Sequence, residues 1–366
     1  MTDNLKYTLA LGQIDGIGPN IGRKLIRHFG DAQAVFKSTS KDFDLIKGAG
    51  RSLRKQIQGF KDFSYIEQEL DYIEKNNLNV YEYNTDDYPK RLNHCPDGPL
   101  AVFSRGIKNL NHPRALAIVG TRMATDYGKT FTQKLISELA EHNVAIYSGL
   151  AYGIDIAAHR AALKYSVPTV GVVAHGLDRI YPSHHKGTAH QMTENGAIVS
   201  EFFSGTVPNR ENFPMRNRII AGLVDAVLVV ESKRSGGAMI TAELGNSYNR
   251  DVFALPGRVT DLCSEGCNLL IKSNRAAVIQ SYKDLEYIMN WSKDEQTDQP
   301  KQVKLFVELA GEEERIFNCL QKNGPLSIDK LCLELNVQGR TLATHLLNLQ
   351  LSGMIKTKPG GIYDIA

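Results

Sequence analysis

The sequence predicts an α/β protein built on a doubly wound, mostly parallel sheet, and three observations carry that expectation. From Pro113 to about Tyr287, short β-branched runs without strict polar alternation recur, as expected of strands covered on both faces. Amphipathic helical stretches separate those runs, and regular alternation of strand and helix implies parallel crossovers. The runs also end one after another in small or charged residues. In open α/β sheets, ligands sit outside the carboxyl ends of the strands.

The elements follow in order. Residues 1–75 read as short helices joined by glycine turns. Leu11-Gly-Gln-Ile-Asp-Gly-Ile-Gly-Pro-Asn-Ile-Gly22 has the form of a helix-hairpin-helix, with Arg23 and Lys24 placed to follow a phosphate held by the hairpin N–H groups. Ile46–Gly50, followed by Arg51, Arg54 and Lys55, is a weaker second copy. Residues 76–290 form the core domain, with strands expected at Ala115–Val119, Val144–Tyr147, Thr169–Val173, Ala197–Val199, Ala226–Val230 and Val252–Leu255. Helices are expected between them, at Tyr127–Glu141 and Ile156–Lys164 among others. Residues 291–304 are almost free of apolar side chains and read as an exposed linker. In 305–366, helices at Glu312–Leu320, Ser327–Leu335 and Arg340–Leu351 precede a hairpin of Met354–Lys358 and Ile362–Ile365. Three helices and a two-stranded wing describe a winged helix. Its third helix carries Thr341, Thr344, His345 and Asn348, but the domain's charges cancel, so contact with protein is as well supported as contact with DNA.

Composition limits the function classes. At 366 residues, 42% apolar and 23% charged, the chain is an ordinary globular one with room for two or three domains. No run approaches the ~18 apolar residues of a membrane helix, and the polar start lacks a secretory h-region. Five cysteines at irregular spacing point to reduced thiols and a cytoplasmic setting. Cys263 and Cys267, the one close pair, lack further metal ligands. Net charge is only +3, yet residues 1–62 carry eleven Lys/Arg against six Asp.

The strand ends assemble a polar crevice. The first contributes Gly120, Thr121 and Arg122; the second contributes Ser148 and Gly149, leading to Asp155 and His159. After the third come Tyr181-Pro-Ser-His-His-Lys186, so His185 and Lys186 enter the set. Phe213, Arg216, Asn217 and Arg218 follow the fourth. Glu231 follows the fifth, where it either caps the glycine-rich turn or pairs with Arg216. Cofactor readings fail: the first turn lacks Gly-x-Gly-x-x-Gly, no acid follows the second strand for a ribose, and no P-loop occurs. No cofactor is expected. Cations to track phosphates, interleaved with Tyr152, Tyr181 and Phe213, are what a single-stranded nucleic acid requires.

These residues give a specific resemblance. Ile118-Val-Gly-Thr-Arg122, Ser148-Gly-Leu-Ala-Tyr-Gly-Ile-Asp155, Gly176-Leu-Asp-Arg-Ile-Tyr-Pro182, Phe213–Gly222, Ser235-Gly-Gly237 and Pro256-Gly257 cover most of residues 85–280. In that order the chain resembles the bacterial DNA-processing protein A (DprA/Smf) family. The resemblance implies a Rossmann-like core, a helix-hairpin-helix or SAM-like N-terminal domain and a terminal winged helix. It further implies single-stranded DNA binding, protection of strands taken up in natural transformation, loading of a RecA-type recombinase, and self-association. Binding positions of the family map onto Arg122 and Lys186. Two departures stand out: Asn274-Arg275 replaces the usual Gly-Ala, and His184-His185 replaces the usual Asn or Arg. A competing enzyme reading compares Gly236-Gly237 and Glu243 with the glycine turn of phosphoribohydrolases, although Thr241 is displaced by one position from that pattern.

Overall fold

The computed structural model describes residues 3–38, 43, 51–291 and 311–365. The second hairpin at Ile46–Gly50 and all of the expected linker except Trp291 lie outside the described residues. The N-terminal region is helical: α1 (Asp3–Gln13), α2 (Pro19–Phe29), α3 (Ala32–Lys37), α4 (Arg51–Gly59) and α5 (Ser64–Lys75). The hairpin between α1 and α2 turns at Gly16, with φ of 82°, and Pro19 opens α2 behind Gly18.

Helix α2 is not free-standing. Gly22 packs on Leu100, where even a Cβ would come within 2.6 Å of the leucine Cδ1. Its neighbour Arg23 is buried, contrary to a phosphate-contact role. The guanidinium donates to the carbonyl oxygens of Asn93 (3.3 Å), Cys95 (2.6 Å) and Leu92 (3.3 Å) and to the Tyr88 hydroxyl (2.8 Å). A buried guanidinium needs acceptors, and here Tyr88 and the turn after it supply them to both terminal nitrogens, while Nε has no partner among the described residues. Lys24 alone of the pair stays exposed. The apolar cluster accordingly runs from Leu11, Leu25 and Ile57 in these helices to Val102, Val227 and Leu270 in the core.

The sheet has nine strands among the described residues, in the order β1-β2-β6-β5-β4-β3-β7-β8-β9. They are β1 (Asn79–Glu82), β2 (Ala101–Gly106), β3 (Arg114–Val119), β4 (Val144–Ser148), β5 (Thr169–Val172), β6 (Gly196–Ser200), β7 (Ala226–Val229), β8 (Asp251–Ala254) and β9 (Ala277–Val278). From β6 to β9 every neighbour is parallel, whereas β1 and β2 add an antiparallel edge. The parallel strands β3 to β8 fall within a residue or two of their expected bounds, whereas β9 has no counterpart among the expected strands. The edge pair is an addition to the expected strands. In β3, Ala115, Leu116, Ala117 and Ile118 are each 0% exposed, as two covered faces demand.

Helices cover the faces: α6 (Lys90–Asn93), α7 (Asp126–Leu139), α8 (Ile154–Lys164), α9 (Lys186–Met192), α10 (Asn212–Gly222), α11 (Gly237–Ser247), α12 (Glu265–Lys272) and α13 (Tyr282–Met289). The chain winds from β3 through β4 and β5 to β6 on one side, then returns to β7 on the other. The order therefore reverses between β3 and β7, which is where α/β sheets open a crevice. Asn274, which stands where the resembled pattern has glycine, follows α12 with φ of 54°. Asparagine is the non-glycine residue best suited to that left-handed turn, so the missing glycine costs little.

The winged helix comprises α14 (Glu312–Asn323), β10 (Leu326–Ser327), α15 (Ile328–Leu335), α16 (Gly339–Leu351), β11 (Ile355–Lys358) and β12 (Ile362–Ile365). Strands pair as β10-β12-β11, one strand more than the expected hairpin. Its buried core, including Ile316, Leu331, Leu346 and Ile355, is drawn from within the domain. The wing touches the core where the Gly360 N–H donates to the Asn249 carbonyl at 2.9 Å. No helix among the described residues is long and apolar enough to cross a membrane.

Candidate functional site

At the switch point β3 ends in Val119 and the chain turns through Gly120-Thr121-Arg122. Gly120 is wedged between Ile154 and the Glu231 carbonyl, where an added Cβ would sit 2.5 Å and 3.0 Å from them. The turn is pinned from three sides. The Thr121 N–H donates to the Glu231 carbonyl (2.7 Å), its carbonyl accepts from Ile154 N–H (3.2 Å), and its hydroxyl accepts from Met123 N–H (3.2 Å). Gly153, with φ of 79°, lets the start of α8 approach this turn. Arg122 thus leaves a rigid loop. Its guanidinium lies 5.3 Å over the Phe213 ring and finds no carboxylate partner among the described residues.

The crevice has two adjoining lobes that share Arg122, Ala151, Phe213 and Arg216. The larger, about 390 Å³, is bounded by Gly120, Thr121, Asn217, Ser232, Lys233 and the Ser235-Gly236-Gly237 turn. The smaller, about 80 Å³, is bounded by Gly149, Tyr152, His175 and Tyr181. Helix α11 starts at the larger lobe: its cap Gly236 has no side chain, and Gly236, Gly237 and Ala238 line the cavity, so the positive end of the helix borders it.

Arg216, expected from the sequence to be a free cation, is instead part of the floor. It is 4% exposed, and its guanidinium donates to the carbonyls of Gly149 (2.6 Å) and Val172 and to Asn217 Oδ1 (3.2 Å). Burial lowers its pKa to about 10, with Asp155 opposing and Arg122 adding to the fall. Asp155 is pushed up by burial and held down by Arg216. The two charges sustain each other under the crevice.

Arg218 is a second correction. It is buried on the far side of α10, ion-paired with Glu201 and donating to the Asp97 carbonyl. Residues two apart on a helix do not share a face, so Arg216 and Arg218 cannot both enter one crevice. Ser148 and His185 also lie behind the wall. Ser148 is buried and donates to the Ile118 carbonyl at 2.6 Å. His185 is buried, with Nδ1 2.8 Å from the Leu150 carbonyl and its ring 4.8 Å from that of Tyr152. The exposed member of the pair is His184, whose Nδ1 is 3.3 Å from the Tyr152 hydroxyl. Lys186 is exposed but lines a neighbouring groove rather than the crevice. The crevice therefore gathers Gly120, Thr121, Arg122, Gly149, Phe213, Arg216 and Asn217 of the expected set.

Glu231 neither caps the glycine-rich turn nor pairs with Arg216. It accepts from the Thr125 N–H (2.9 Å) and hydroxyl, clamping the start of α7. Lys233 is the cation that sequence reasoning missed. It stands just past the end of β7, the same strand-end position that identified Arg122, and is overshadowed by the adjacent Glu231-Ser232.

Acid–base chemistry finds little support in these groups. His159 is fully buried, its Nδ1 2.7 Å from the Thr169 hydroxyl, and burial lowers its pKa to about 3. His175 is tied between the Gly176 carbonyl (2.9 Å) and the Tyr181 N–H (3.2 Å), and burial lowers its pKa. Glu243, the acid the enzyme reading needs, lies on the exposed face of α11 and pairs with Arg275 at 3.4 Å. Cys267 is buried with its thiol pushed up to about 12, and no group of three potential metal ligands occurs among the described residues.

Residues 79–290 match the family model described as DNA recombination-mediator protein A, and residues 302–361 match the DprA winged helix domain. Protein Smf of Escherichia coli is 34% identical over 342 residues, covering 90% of this chain and 89% of its own. Protein Smf of Synechocystis is 36% identical over 285 residues, covering 76% and 71%. Among solved structures, DNA processing protein A from Streptococcus pneumoniae superposes with a TM-score of 0.66 at 30% identity, over 78% of this chain and 98% of that one. DNA processing protein A from Helicobacter pylori, whose structure was determined for its single-stranded DNA binding mode, gives 0.53 at 30% identity over 58% and 95%.

Proposed function

The chain belongs to the DNA recombination-mediator protein A (DprA/Smf) family, and from that premise we propose that it binds single-stranded DNA in the switch-point crevice. The observation that carries this reading is Arg122, fixed by a pinned turn, stacked on Phe213 and left without an acidic partner among the described residues. A phosphate supplies the missing charge, and a charge-assisted contact from a rigid guanidinium is a strong one. The α11 N-terminus and Lys233 favour anions on the opposite wall. Tyr152 and Tyr181, 44% and 46% exposed, offer ring faces to unstacked bases at the mouth. Backbone contacts of this kind carry no sequence information.

The finer role is protection of incoming strands during transformation and placement of a RecA-type recombinase by a cytoplasmic, self-associating protein. It is supported by family membership rather than by any feature of the crevice. No enzymatic step is assigned, since the buried histidines and the outward Glu243 do not offer one.

The test is competition and salt. With Arg122 and Lys233 each neutralising a phosphate in the crevice, single-strand affinity should fall with a log–log salt slope of about −1.4, at ~0.7 per phosphate. Duplex of equal length should compete poorly. A slope near zero, or equal affinity for duplex, would return the crevice to a small-molecule role. Release of free base from nucleoside monophosphates would favour the enzyme.

A further inference from the structure

Beside the crevice lies a second concavity of about 400 Å³. One wall is α9, whose Lys186 and His190 stand one turn apart on the same face, with Thr193 beyond them. The opposite wall is the loop carrying Asp178 and Arg179, and Arg105 closes the groove from the end of β2. The floor is apolar: Leu177, Ala189 and Ile198 are buried. Arg105, Arg179, Lys186 and His190 are exposed. Asp178 is the one carboxylate lining the groove, and it is occupied by the Arg179 guanidinium (2.7 Å) and the Gly205 N–H (3.0 Å). Three full cations against one committed acid leave the groove positive.

The loop 177–183 is the ridge between the two concavities. Tyr181 lines the smaller crevice lobe, while its neighbour Ile180 and nearby Ser183 line the groove. We propose that this groove is a second phosphate subsite, in which a single strand leaving the Arg122 crevice crosses the ridge at Tyr181 and lays its backbone between α9 and Arg105. The inference rests on the single-strand reading of the crevice. It accounts for Lys186 standing outside that crevice, and it gives Arg105, Arg179 and His190 a shared ligand.

The experiment measures affinity of the full chain for oligothymidylates of about 5 and about 20 nucleotides, bracketing the ~4–16 nucleotides of known single-strand sites. Arg105→Glu and His190→Glu alter opposite sides of the groove at exposed positions. Arg179→Ala is the second line of test, because it alters the ridge loop. Binding of the longer oligonucleotide should weaken on the order of tenfold, with the salt slope shallower by about 0.7 for each phosphate no longer neutralised. Binding of the shorter one should be unchanged. Unchanged binding of the longer oligonucleotide in all three variants would overturn the groove, as would equal weakening for both lengths. Arg122→Ala separates the two readings. If it leaves the short oligonucleotide bound as before, the crevice assignment fails and the groove falls with it. If it abolishes short binding while the groove variants change nothing, the groove alone is wrong.

Discussion

Arg122 and Arg216 line the same crevice, and their surroundings assign them opposite work. Arg122 has an aromatic face beneath it and no ion-paired carboxylate among the described residues, so its charge is available to a ligand. Arg216 is spent on carbonyls at the ends of two strands and on the field of Asp155. Arg122→Ala should therefore cost about 1.5–3 kcal/mol of single-strand affinity and leave the urea midpoint unchanged. Arg216→Ala should cost roughly 3–5 kcal/mol of folding stability, because it leaves a buried carboxylate unpaired. Equal effects of both variants on affinity, with no difference in stability, would refute this division. The sequence shows that both are cations near strand ends. It does not show which has a buried acid waiting, because Asp155 at the start of α8 and Arg216 on α10 come together only in the fold, against Gly149.

Elements are legible where burial on two faces imposes a simple pattern, as in β3, β4 and β7. They are illegible where a strand is short and mixed. In β1, Asn79-Val-Tyr-Glu82 alternates no better than a loop, and its pairing partner β2 lies some twenty residues away, Val80 facing Phe103. Helix α10 is readable only in part. Its arginines stand out in the sequence, but the spacing that sends them to opposite sides has meaning only once the segment is known to be helical. α7 shows a remote dependence of the same kind, since its first turn is held by Glu231 from the end of β7. Glu231→Ala should cost about 1.5–3 kcal/mol by leaving the Thr125 donors without a charged acceptor. Glu231→Gln should recover part of that stability. Denaturant midpoints for the two variants measure it, and a neutral Glu231→Ala would show that the clamp is dispensable.

For the whole molecule, apolar packing decides which parts stand or fall together. The winged helix has its own core and meets the rest at Gly360, which bonds Asn249 and lies against Arg250, among other points. A chain ended after residue 298 should stay folded, keep most of its single-strand affinity, and lose one of two thermal transitions seen by calorimetry. A large drop in affinity would mean that the winged helix reads DNA directly. The N-terminal helices offer no such cut. Their apolar side chains belong to the cluster beneath the sheet, and Arg23 reaches the Tyr88 hydroxyl and three carbonyls on the turn after it. That latch turns what the sequence presents as an appendage into a handle. The direction in which Gly16 and Gly18 point is set relative to the crevice mouth, so whatever grips the hairpin also aims the crevice.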